Sequence, residues 1–166
     1  MNAYLTIAAL VVLAILQSTV MPRITVLGVH PDLMLLAVTS WSLLRGAQEG
    51  MLWALIGGIA VDLISGAPFG VVTLSLLVVS FLSSLGQRNV FRLDLLIPII
   101  TIPLATLVYN TIMLALLWAL QWPTDWGAGF VRVILPAMLV NTISMPLVYL
   151  ALRTLDRRVG REVMAW

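Results

Sequence analysis

From residue 3 to residue 21 the chain carries no charged side chain, and beyond that it alternates long apolar stretches with short polar turns. Wound as a helix rising 1.5 Å per residue, such a stretch reaches across the roughly 30 Å hydrocarbon core of a bilayer. Only 10% of the 166 residues are charged, whereas soluble domains average about a quarter. With a mean hydropathy of +1.09, the chain reads as an all-α polytopic membrane protein. The apolar stretches leave no room for a soluble domain. A cleaved signal peptide would need a basic segment first and small residues before a cleavage site. Neither precedes Arg23, so the first stretch is expected to stay as a helix.

The pattern predicts a six-helix transmembrane bundle forming one integral domain over residues 1–166. Its helices lie at about 3–21, 31–45, 49–64, 69–85, 95–122 and 128–152, with a tail over 153–166. Pro31 suits the first position of the second helix, and Asp32 just inside it meets the positive end of the helix dipole. The apolar run 33–44 is short for a span. This helix therefore starts below the membrane surface or draws on its flanks. The polar turns RGAQEG (45–50) and SGAPFG (65–70) bracket the third helix. Pro98 and Pro103, then Pro136 and Pro146, predict kinks in the last two helices, whose freed carbonyls neighbouring groups must satisfy.

Arginine distribution sets the orientation. Arg45, Arg88, Arg92, Arg153, Arg157, Arg158 and Arg161 fall on one side, against Arg23 and Arg132 on the other. Both termini are thus expected in the cytoplasm, with Asp62 near the outer surface. Trp118, Trp122 and Trp126 fit an aromatic belt at the outer interface. The basic residues after 152 suit a tail anchored on anionic lipid.

Within residues 46–70 small residues recur at every fourth position: Gly46, Gly50, Ala54, Gly58, then Asp62 and Gly66. Helices pack in lipid by close backbone approach, so Gly50, Ala54, Gly58, Asp62, Gly66 and the nearby Gly70 are candidates for helix packing or a partner interface. A carboxyl in that row suggests an ion site, a partner contact, or a cap on the SGAPFG turn. Its nearness to the turn favours the cap. Pro31 and Asp32 read as the cap of helix two rather than as an acid orienting His30, because no nucleophile accompanies them. Glu49 reads as a solvated partner of Arg45. Asn110 and Asn141 are equidistant from position 125.5, which puts them at one depth of an antiparallel hairpin. They are expected to bond each other or share a polar neighbour.

No reacting centre stands out. The chain has no cysteine, a single histidine (His30), and no second acid expected deep in the membrane to work with Asp62. Disulfides and thiolate chemistry are excluded, and neither catalytic residues, a cofactor nor a metal is expected.

The ordered motifs Leu16-Gln17-Ser18, Pro31-Asp32-Leu33, RGAQEG and GGIAVDLISGAPFG (57–70) together resemble the rod shape-determining protein MreD family over essentially the whole chain. That resemblance implies a non-catalytic component of the bacterial elongation machinery in the cytoplasmic membrane. Its implied partners are MreC and, through it, RodA with its transpeptidase partner and the MreB filaments; membrane lipid surrounds it and no nucleic acid is involved. The implied fold is similar to the substrate-binding subunits of energy-coupling-factor vitamin transporters. A vitamin-binding subunit is therefore the rival reading. Against it, the first helix lacks those subunits' Ala-x-x-x-Ala docking pattern, since Ala3, Ala8, Ala9 and Ala14 are followed four residues on by Ile7, Val12, Leu13 and Ser18.

Overall fold

A computed structural model describes residues 3–25, 28–66, 68–86, 96–123, 127 and 130–159. Six α-helices make up the described chain: α1 (Ala3–Thr19), α2 (Leu33–Arg45), α3 (Ala47–Ser65), α4 (Val71–Ser84), α5 (Leu96–Ala119) and α6 (Leu135–Val159). A short 3-10 turn, Met21–Arg23, ends the first helical run, and a π-helical turn, Phe130–Ile134, leads into α6. No strand occurs among the described residues. Four helical segments are long and apolar enough to cross a membrane: Thr6–Arg23, Ala47–Ser65, Leu96–Ala119 and Val131–Arg157.

The other two helices are short. With 13 residues α2 rises about 20 Å, and with 14 residues α4 rises about 21 Å, both below a full bilayer core. Six helices are present as expected; the shortness foreseen for the second holds, and the fourth is short as well. Short helices survive because neighbouring side chains satisfy their ends, as developed below.

At the centre lies α2. Every residue from Met34 to Leu43 is buried, the hydroxyl side chains Thr39, Ser40 and Ser42 included, as expected of a helix in the core. The remaining helices form an arc around it in the order α1, α3, α4, α5, α6, each packed on the next, with all but α1 and α6 also flanked on both sides. Gly57 and Gly50 of α3 meet Met34 and Ser42 of α2, and Gly58 and Asp62 of α3 meet Thr73 and Gly70 at the start of α4. Thus α2 and α4 both run antiparallel to α3 and parallel to each other, joined by a 2.9 Å Ser42–Ser80 hydrogen bond. Both therefore begin at the same end of the bundle.

Several sequence-based boundaries shift. Helix α2 starts at Leu33, because Asp32 holds an extended backbone as its N-cap and Pro31 lies outside the helix. Pro98 falls in the first turn of α5, where a missing N–H removes no bond, so only Pro103 sits inside that helix. Pro136 is the second residue after the π turn. A proline removes the bond to the carbonyl four residues earlier, and a widened turn accommodates that break. The largest correction is at the end of α6, which runs on to Val159 instead of stopping near 152. Arg153 and Arg157 accordingly lie on a helix, not on a free tail. Arg158 is in the helix too, but its side chain, like Arg161, Trp126 and the loop holding Arg88 and Arg92, lies outside the described residues.

Candidate functional site

Asp62 is 4% exposed and spends its carboxylate entirely on α4. The backbone N–H groups of Gly70, Val72 and Thr73 each donate to it at 3.0 Å, and the Thr73 hydroxyl donates as well. The first N–H groups of a helix have no partner within it, and in a membrane no water replaces one. A carboxylate also suits the positive end of the helix dipole. The acid of α3 is thus the cap of α4, supplied from a neighbouring helix.

One turn earlier on α3, Gly58 makes this reach feasible. A Cβ at that position would lie 2.6 Å from the Thr73 Cα, so the two backbones touch where only hydrogen fits. Gly50 meets Ser42 of α2 in the same way, and Ala54 is fully buried. Gly57, outside the four-residue row, receives the Met34 thioether. These positions pack α3 within the bundle, and none of them faces outward. Gly66 and Gly70 are corrected as packing positions. No side-chain or backbone atom crowds them, and their φ values of 69° and 96° are the left-handed conformations that the turn between α3 and α4 needs.

Asp32 organises a second polar centre where α1, α2, α5 and α6 meet. Its carboxylate accepts from the Leu35 N–H and from Gln17 Nε2, each at 2.9 Å, and the buried Tyr109 of α5 lies beside it. Gln17 Oε1 accepts from the Met34 N–H at 2.7 Å, and Asn141 Oδ1 from the Asp32 N–H at 2.9 Å. Asn141 Nδ2 in turn donates to the Thr106 hydroxyl at 3.1 Å. The two asparagines do not bond each other. They share Thr106, whose carbonyl takes the Asn110 amide at 2.8 Å. Because Asn141 lies about ten residues beyond Val131, the start of α2 sits about 15 Å down the length of α6.

Above that start is a cavity of about 240 Å³ lined by His30, Asp32, Asn110, Val133, Ala137 and Asn141. Its wall sets amide, imidazole and carboxylate groups within a larger apolar area.

At the opposite end of α2, Arg45 bonds Asp156 of α6 and lies 3.5 Å from Glu49 of α3. Its guanidinium stands 5.7 Å from the Trp41 ring centroid, within cation–π range. Trp41 stacks on Trp53 at 4.3 Å and donates its indole N–H to Glu49 at 3.1 Å. Glu49 is therefore a junction between α2 and α3 rather than a simple solvated partner. Asp156 is the partner that sequence patterning did not single out. It ties the last turns of α6 to the end of α2.

Gln17, Thr73, Thr106 and Tyr109 also escaped the sequence reading as site residues. A usable signal existed for one of them: Gln17 is the sole amide between residues 3 and 19, in a helix otherwise able to face lipid. Among the described residues, no three His, Cys, Asp or Glu side chains gather as a metal site would require.

No curated protein and no solved structure matches the chain. The family model described as rod shape-determining protein MreD matches residues 1–159. Taken with helices able to cross a membrane four times, that match makes this chain a multi-pass membrane member of the MreD family, with a role in rod shape determination.

Proposed function

We propose that the protein is a non-catalytic membrane scaffold of the bacterial elongation machinery. It sits as a single domain in the cytoplasmic membrane with both termini inside the cell. It binds MreC and, through it, helps couple RodA and its transpeptidase partner to MreB filaments. The observation that carries this reading is the family match over residues 1–159. The polar chemistry supports it: Asp32, Asp62, Gln17 and Asn141 are all engaged in holding helix starts and neighbouring helices. A frame held this way presents fixed helix faces to other membrane proteins.

Affinity purification from native membranes in a mild detergent tests the proposal. Recovery of an MreC-like protein together with wall synthases is the expected result, and recovery of neither overturns it. For the orientation, a C-terminal reporter active only outside the cytoplasmic membrane is expected to stay silent.

The cavity beside His30 and Asn141 favours a second reading, a small-molecule subunit akin to the energy-coupling-factor vitamin binders. Under that reading the same purification yields an ATPase module or a tightly held vitamin.

A further inference from the structure

The cavity above the start of α2 has a mouth and a floor. Val133 of the π turn, then Ala137 and Asn141 of α6, line it at successive helical turns. Their exposure falls in that order, from 45% through 9% to 1%. Along a helix axis that descent is about 12 Å. Asp32, Asn110 and His30 share the wall.

These three side chains keep acceptor capacity that the fold does not use. Asn110 gives its Nδ2 to the Thr106 carbonyl, which can only accept, so Oδ1 is left for another donor. His30 Nδ1 lies 3.4 Å from the Pro31 carbonyl. That contact sets the ring proton on Nδ1 and the lone pair on Nε2. The Leu35 N–H and Gln17 Nε2 both donate to Asp32 Oδ1. A carboxylate has about four lone-pair sites, so even with Tyr109 beside it a further donor finds a place.

The charge of the cavity narrows the ligand. Among the described residues no basic or aromatic side chain lines the wall. The full charge of Asp32 outweighs the roughly half charge of the α2 N-terminus, which disfavours an anion. Without an aromatic face the site lacks what holds a quaternary ammonium. A primary ammonium, with its three N–H donors, matches three acceptors of which one is charged. Arg132 is exposed and directly precedes Val133 at the mouth, where its guanidinium suits a phosphate.

We propose that this cavity binds a primary ammonium group, whose N–H donors go to Asp32, Asn110 and His30. The bearer that also satisfies Arg132 is an ethanolamine phospholipid; a free alkylamine carries the same chemistry. The proposal takes up the cavity of the second reading and gives it a different ligand. It is independent of the scaffold role, whose test is the recovery of partners.

Native mass spectrometry of the full-length protein in detergent tests it, with equal amounts of dioleoyl-phosphatidylethanolamine and dioleoyl-phosphatidylcholine added. These lipids differ only in the methyl groups on the nitrogen. Retention of the first is expected to exceed that of the second about tenfold, the worth of one charge-assisted hydrogen bond. Asn110→Leu and His30→Leu each remove an acceptor and are expected to cut that preference severalfold. If Asn110→Leu does not fold, His30→Leu alone decides. The free-amine arm compares ethylammonium chloride with tetramethylammonium chloride, read as the midpoint of thermal unfolding. A rise with ethylammonium alone, lost in the variants and without any lipid preference, assigns the site to a soluble amine. Equal retention of both lipids together with equal midpoints overturns the proposal. So does a preference or a rise that survives both substitutions, because the ammonium is then held elsewhere.

Discussion

Gln17 grips the start of α2 with both atoms of its amide, donating to Asp32 and accepting from the Met34 N–H 17 residues away. No aliphatic side chain replaces that double contact. Gln17→Leu is expected to leave a buried N–H and a carboxylate short of partners, costing about 1–3 kcal/mol. Gln17→Glu keeps the acceptor but sets a second carboxylate against Asp32, and is expected to cost more. Reversible unfolding in bicelles, followed by steric trapping, measures both. Equal stability of Gln17→Leu and the parent would contradict the role given to this pair.

For Asp62, removal of the carboxylate strips the cap from α4. Asp62→Ala is expected to lose on the order of 3 kcal/mol, combining a lost cap with buried donors left unmet. Asp62→Asn retains one acceptor oxygen and is expected to lose about half as much. Because the acid is committed to structure, recovery of partners from membranes is expected to fall in step with folded protein. A fully folded Asp62→Ala protein that lost its partners would point to a direct contact instead.

Gly58 and Gly66 separate two uses of glycine. Gly58→Ala forces a methyl group into the Thr73 backbone and is expected to push α3 and α4 apart, at a cost of about 1–3 kcal/mol or more. Gly66→Ala meets open space and incurs only the left-handed backbone penalty, about 1–2 kcal/mol. Crosslinking between cysteines placed on α3 and α4 distinguishes them: only the first substitution is expected to lower the yield.

The Asn141–Thr106 bond crosses between α6 and α5, whereas Asn110 bonds a carbonyl of its own helix. A double-mutant cycle on Asn141→Ala and Thr106→Val is expected to return a coupling of about 0.6–2 kcal/mol. Asn110→Leu is expected to change stability by less than either, and a larger loss would mean that the cavity it lines is itself stabilising.

Much of the topology was legible because apolar runs and polar turns alternate so cleanly, and Asp32 and Asp62 announced themselves as charges beside helix ends. What escaped was tertiary. A polar residue in an apolar helix gives no direction, so Thr106 and Tyr109 looked like ordinary members of α5. The RTLDRR segment reads as a solvated basic tail until Asp156 is seen bonded to Arg45, 111 positions earlier. The lengths of α2 and α4 were also blurred by local pattern: their apolar flanks extend the hydropathy signal past the points where Asp32 and Gly70 fix the first turns.

The capping of α2 by the last helix carries a consequence for biosynthesis. Asn141 leaves the ribosome 109 residues after the Asp32 whose amide it receives, and Asp156 follows Arg45 at a similar delay. Until then α2 is a helix too short to cross the bilayer, with both ends polar and two of its partners not yet made. Its end contacts to Asn141 and Asp156 therefore form only after α6 has been made. Full stability of the first central helix is thus expected to depend on the last, so that a chain truncated before Asn141 would hold α2 less firmly than the whole one.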